Sequence, residues 1–230
     1  MNANANPHSP FDLPIVFRLG PVPVTQPVIT TWFLVAGLAT VSFLLTRRLR
    51  IRPTRTQAAL EILVTTIDDQ IHEIIPAGAG DYLPLLGTLF LYLLCANVGG
   101  LIPGVHAPTA HIETPAALAL IVFSAVHVAG MKRRGVGDYL REFARPSVLL
   151  LPLNVLSEIT RTFSLMIRLF GNVMSGEFII AIVLGLAGLL VPIPLMGLEL
   201  LTGLIQAYIF TTLSAVFIGA AVTTMERNGT

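Results

Sequence analysis

Arg161 and Arg168 stand inside an apolar stretch that reaches from Val148 to Val191. A permanent cation at membrane depth costs about 2.5–3.5 kcal/mol on insertion scales. Arginine cannot relieve that cost by losing a proton. Seven residues separate the two, so on a helix they share one face. Asn154, Ser157, Glu158, Thr160, Ser164, Asn172, Ser175 and Glu177 accompany them, and Glu199, Thr202 and Gln206 follow in the next apolar segment. At 100° per residue from Arg168, Arg161 falls at about 20°, Asn172 at 40°, Ser175 and Ser157 at −20°, and Ser164 at −40°. Glu177 falls at about 180°, on the opposite side. In the last segment Glu199, Gly203, Gln206 and Phe210 lie within about 40° of one another. Ionisable groups at this depth mark an ion path or pair with each other. A pairing of Glu158 with Arg161 at i, i+3 is the structural alternative. Snorkelling of either arginine to the interface is another, more so for Arg161, nearer the flank. Gly171, Ser175 and Gly176 beside Arg168 would let a partner helix approach closely and bring its own carboxylate.

These residues need helices across a bilayer to position them. The chain has 230 residues, 54% hydrophobic and 12% charged, with net charge +1. Soluble domains carry about 25% charge. Apolar runs near 20 residues recur, each long enough to span. The fold class expected is all-α, a polytopic membrane protein. It has about five membrane-crossing helices, an amphipathic surface helix and a long, strongly tilted C-terminal helical hairpin.

Residues 1–230 read as a single membrane domain. Residues 1–26 form a polar, proline-rich, irregular leader on the outer side, and 27–46 the first span. Residues 55–75 alternate Leu60, Leu63, Val64, Ile67, Ile71 and Ile74 with acidic positions at helical spacing, as in a helix lying on the membrane or packed on another subunit. Residues 83–102 and 115–131 are the second and third spans. Residues 147–224 form the tilted hairpin, whose first arm is too long for one upright crossing and must tilt, lie along the membrane or break. Eleven of the 14 Lys and Arg residues fall on one side if the N-terminus is outside and the C-terminus cytoplasmic.

Other chemistry is thin. The basic residues are juxtamembrane and not interleaved with aromatics, so nucleic acid is not a partner. His106, His111 and Glu113 sit in a short loop that supplies no further ligand, so no metal is expected. His127 is a proton relay or a hydrogen-bonded core histidine. Cys95 is a packing residue. No Walker loop, catalytic triad or CxxC is present, and no cofactor is expected.

Ser164-Leu-Met-Ile-Arg168-Leu-Phe-Gly-Asn172-Val-Met-Ser-Gly176-Glu177, followed by Gln206-Ala-Tyr-Ile-Phe210, closely resembles subunit a of the F-type ATP synthase membrane sector. The resemblance implies a non-catalytic stator subunit in a bacterial inner membrane. Its partners would be a c-subunit ring, b-type peripheral stalk subunits, the rest of the synthase and membrane lipid. Proton or sodium translocation through two half-channels would be coupled to ATP synthesis or hydrolysis. By resemblance Arg168 is the arginine facing the ring, and Asn172, Glu177, Glu199 and Gln206 match polar positions of the half-channels. Glu158, Arg161 and Ser175 are supporting candidates. Glu199 falls where some members carry histidine, and Arg161 where many carry lysine. If the two long segments pack antiparallel, Glu177 meets the Glu199 side, with Arg168 and Gln206 nearer the ring. The rival reading is a secondary transporter with an anion site at Arg168, although such folds often show paired repeats and none is visible here.

Overall fold

The computed structural model describes residues 15–19, 22–47, 55–76, 78–101, 107–137, 139, 148–188 and 190–223. His106, Arg48, Arg50, Arg52, Arg141 and Arg145 lie outside them. Six long helices make the body: α1 Gln26–Thr46, α2 Arg55–Ile74, α3 Ala79–Gly100, α4 Glu113–Arg134, α5 Leu151–Ala187 and α6 Pro192–Thr223. All but α2 are long and apolar enough to cross a membrane. The leader departs from the expected irregular coil. Ile15–Leu19 and Val22–Thr25 pair antiparallel as β1 and β2, with Ile15 opposite Thr25. A hairpin satisfies its own backbone groups, which suits a segment leading directly into a span.

Each buried face follows from spacing. Helix α3 buries Leu86, Leu89, Tyr92, Leu93 and Ala96, and α4 buries Leu118, Ala119, Val122, Val126 and Ala129. Both sets recur every three or four residues, one stripe per helix. Helix α1 opens on Pro27, whose missing N–H costs nothing in the first turn. It otherwise faces outward, with Trp32, Phe33 and Phe43 exposed, and only Leu34 and Leu38 pack on the core. The Tyr92 hydroxyl donates to Thr31 Oγ1 at 3.4 Å and ties α1 to α3.

The amphipathic α2 is docked at one end. Ile71 and Ile75 are buried in the common core, while Ile62 and Val64 are exposed. Gly219 of α6 receives this end closely: a Cβ there would stand 3.2 Å from Ile75 Cγ1. Gln70 Oε1 accepts from the Tyr208 hydroxyl of α6 at 2.8 Å.

The connection into α4 is not an open loop. Pro108–Ala110 forms a 3-10 turn, and Thr109 is fully buried. Thr25 Oγ1 donates to Glu113 Oε2 at 3.0 Å. The starts of α1 and α4 therefore lie at the same end of the bundle.

The long fifth segment neither breaks nor bends into two pieces. Helix α5 runs unbroken for 37 residues, a rise of about 55 Å. Keeping all of it within a hydrocarbon layer of about 30 Å requires an inclination of roughly 55–60°. Gly188, at φ +74, ends it in a conformation that favours glycine. Pro192 then opens α6, which packs against both α3 and α5.

Candidate functional site

The inward stripe of α5 is Leu165, Leu169 and Val173, centred about 100° from Arg168 on the wheel. Arg168 and Glu177 consequently sit on opposite flanks of that stripe. Their surroundings differ.

On the Arg168 flank, Ser164, Ile167, Arg168, Gly171 and Ser175 are all exposed. A Cβ on Gly171 would meet nothing within 4 Å. Among the described residues no side chain pairs with Arg168. Among the described residues the guanidinium is thus unneutralised, on a face that carries Ser164, Gly171 and Ser175. Ser175 Oγ spends its hydrogen on the Asn172 carbonyl at 3.0 Å.

The opposite flank is enclosed. Glu177 Oε1 accepts from the backbone N–H of Ala107 at 3.0 Å. Glu199 of α6 reaches over the adjacent residue, so a Cβ on Gly176 would stand 2.6 Å from its Oε1. The two carboxylates are near enough to interact electrostatically. Gly176 therefore serves the chain's own Glu199, and is not part of the open bed expected for an external partner.

Glu199 also lines a small cleft with Asn97, Asn172 and Thr202, walled by Gly100, Ala107, Val173 and Gly203. Its volume of about 10 Å³ is close to the least that holds one water. Asn97 shapes the floor. Its Nδ2 donates to the Gly203 carbonyl at 2.8 Å, and its Oδ1 is buried with no hydrogen-bond partner. A Cβ on Gly203 would come within 2.9 Å of Asn97 Cβ. Carbonyl, carboxylate and carboxamide oxygens in one niche can bind and pass a proton or a small cation.

Gln206 shares the Glu199 face, as the wheel requires, but that face turns inward. Gln206 is 5% exposed and Phe210 fully buried, and Gln206 Nε2 has no hydrogen-bond partner. It lies inside the bundle and not on the exposed face with Arg168. Towards the start of α5, Arg161 Nη1 donates to Glu158 Oε2 at 3.4 Å, and the guanidinium packs 4.8 Å from the Phe217 ring centroid of α6. Its charge is compensated within the chain. His127 is boxed in: Nδ1 donates to the Phe123 carbonyl at 2.8 Å, and its ring contacts Phe123 and Tyr139. That matches the core-histidine alternative.

Asn97 and the Ala107 amide were not singled out from sequence. An asparagine within Leu93-Leu-Cys-Ala-Asn97 is itself a visible signal, by the same rule that marked Asn172. A backbone amide has no signature in side-chain types.

A model of the ATP synthase A chain family matches residues 28–219. The chain belongs to that family. It is 58% identical over 95% of its length to ATP synthase subunit a 2 of a Bradyrhizobium species, covering 98% of that protein. It is 45% identical to ATP synthase subunit a 1 of Prosthecochloris aestuarii over 93% of this chain and 96% of the other. A third relative, ATP synthase subunit a 1 of Hahella chejuensis, is 43% identical over 91% and 89% of the two chains. In this member of the ATP synthase A chain family, the exposed arginine flank and the enclosed carboxylate flank are carried by one helix, α5.

Proposed function

We infer that this chain is the membrane stator of an F-type ATP synthase. It forms two ion half-channels against a rotating c-ring and couples proton or sodium movement to ATP synthesis or hydrolysis. The observation that carries the reading is the exposed, unpaired Arg168 on a small-residue face. A buried cation is tolerated when a carboxylate meets it, and here that carboxylate comes from another subunit. An anion-binding transporter would close its site with its own side chains, whereas this face is open.

An ion enters by the cleft, where Glu199 and Asn172 receive it, with Glu177 close to Glu199. It neutralises a ring carboxylate, which can then face lipid. As rotation brings an occupied carboxylate to Arg168, the ionised form gains about 4 kcal/mol at 4 Å and an effective dielectric of 20. That favours release of the ion by about a thousandfold. Arg168 also repels any cation moving directly between the half-channels. A membrane potential supplies about 2.3 kcal/mol per charge per 100 mV. The chain holds no nucleotide chemistry and acts with the c-ring, b-type stalk subunits and the rest of the synthase.

The N-terminus and the Glu113 end of α4 lie outside the cell membrane, and the C-terminus lies in the cytoplasm. Two features support this orientation: α1 and α4 start at one end, and basic residues gather at their other ends, with Arg47 following α1 and Lys132 and Arg133 in the last turn of α4, while Arg55 opens α2.

The test is Arg168→Ala in the complete synthase, reconstituted in vesicles. Assembly is retained and ion-driven ATP synthesis is lost. Arg168→Lys does not restore it fully, because a buried ammonium lacks the planar fork and can deprotonate. Near-normal coupled synthesis by the alanine variant would overturn the reading.

A further inference from the structure

The cleft and its carboxylates occupy one end of the α5–α6 seam. The other end holds a charged pair that the mechanism above leaves unused. Glu158 precedes Arg168 by ten residues and Glu177 follows it by nine, about 15 Å and 13.5 Å along the axis. The seam therefore carries a carboxylate at similar distances on either side of Arg168.

Glu158 is placed for more than a surface contact. Its side chain is 17% exposed and held by Arg161, whose own side chain is 39% exposed. On the wheel Glu158 lies about 80° from Arg168, toward the packed face, and Arg161 about 20°, on the rotor side. The stack of Arg161 on Phe217 anchors the pair to α6. The pair thus bridges the seam and the face that carries Arg168. Helix α4, also packed on α5, brings His127, Lys132 and Arg133. Among the described residues Arg161 is the group ion-paired with Glu158. A carboxylate in a spanning helix is costly to keep, and apolar side chains of similar volume usually stabilise as well as a buried pair.

We propose that Glu158 is the ion-accepting carboxylate of the inner, cytoplasmic half-channel, with Arg161 as the positioning residue that holds it at the seam. This rests on the stator reading. The ion released at Arg168 travels through intervening water to Glu158 and on to the cytoplasm. If it is a proton, it leaves the ring carboxyl oxygen, binds a Glu158 oxygen and departs to water, so Glu158 regains its charge. Arg161 keeps the carboxylate from capturing the ion permanently.

The experiment uses the complete synthase in vesicles with an imposed potential. pH is varied on each side separately at fixed sodium, then sodium on each side at fixed pH. Glu158→Gln lowers synthesis by about tenfold, since bridging water can partly replace a relay, and alters the response to the cytoplasmic-side ion alone. Glu177→Gln alters the response to the outer-side ion alone. Glu158→Asp recovers most of the rate, which separates loss of the carboxylate from loss of folding. Arg161→Lys keeps the sidedness with a smaller loss. An unchanged rate and cytoplasmic-side response in Glu158→Gln would overturn the proposal, as would equal changes on both sides or no recovery by Glu158→Asp. Arg168→Ala, run in parallel, separates this failure from failure of the stator reading: retained synthesis there would sink the latter.

Discussion

Gly176→Ala should slow ion entry without unfolding the protein. A Cβ at this position would stand 2.6 Å from Glu199 Oε1, 2.9 Å from its Cδ and 3.2 Å from its Cγ. Ordinary contact begins at 3.4 Å, so the carboxylate must retreat by about 0.8 Å or change rotamer. The obstacle is the end of a flexible side chain, and the cost of an off-rotamer χ is about 0.5–1.5 kcal/mol. Replacing a mid-helix glycine by alanine returns about 0.5–1 kcal/mol. The two nearly cancel, so thermal stability of the complex should change by no more than about 1 kcal/mol. The functional effect does not cancel, because the displaced group leaves the cleft it shares with Asn97, Asn172 and Thr202. A displacement of about 1 Å can cost up to a hundredfold in a positioned reaction. A water-filled relay is more forgiving, and about tenfold is expected. Ion uptake driven by ATP hydrolysis in vesicles, beside thermal denaturation of the same preparation, reads both quantities. Unchanged uptake with unchanged stability would show that the placement of Glu199 against Gly176 is not part of the ion route.

Gly203→Ala should behave in the opposite way. Its Cβ would strike the Cβ and Cγ of Asn97 at 2.9 and 3.1 Å, which cannot swing aside cheaply, so a loss of about 1–3 kcal/mol in thermal stability is expected. Gly171→Ala meets nothing in the chain and should leave the isolated subunit as stable as before, while coupled synthesis in the complete synthase falls severalfold. Full activity would mean that the rotor does not pack against this position. Orientation is checked in a Cys95→Ser background: a cysteine at Ile112, which is exposed, should react with an impermeant reagent from outside, and one at Ile62 from the cytoplasmic side. Thr109 is unsuitable as the outer probe because it is buried. Glu177→Gln and Glu199→Gln should each slow flux less severely than loss of Arg168, and unchanged flux in both would make them structural.

Spacing made the helices legible, because apolar runs and helical periods are properties of neighbouring residues. It also placed Arg168 and Glu177 on different sides of α5 and joined Glu199 with Gln206 on one face of α6. What it could not supply was the direction in which each face turns. Gln206 and Arg168 are both polar positions in apolar helices, yet one is inside the bundle and the other outside. That difference is set by α3, whose Asn97 meets Gly203, 106 residues further on, through tertiary packing and no local pattern. The pairing of Ile15–Leu19 with Val22–Thr25 and the burial of Thr109 are likewise absent from any helical period. Thr25, which ends β2, meets Glu113 where the starts of α1 and α4 come together, a contact set by tertiary packing.

The two arginines show how an identical residue acquires different work. Each would cost about 2.5–3.5 kcal/mol at the centre of a spanning helix. Arg161 recovers that cost within the chain, from Glu158 and from the face of Phe217. A cation–π contact contributes about 0.5–2 kcal/mol, less where the cation is partly exposed, and the ion pair adds to it. Arg168, one seven-residue step along the same face, has neither kind of partner among the described residues. On the stator reading proposed above, its cost is recovered when another subunit supplies a negative charge, as each arriving ring carboxylate would in turn. An arginine satisfied by its own chain would gain little from a passing carboxylate and would not discharge it. On that same stator reading, the lack of a partner for Arg168 among the described residues is what would let it act on a ring carboxylate, and Arg161, already paired, would be free to position Glu158.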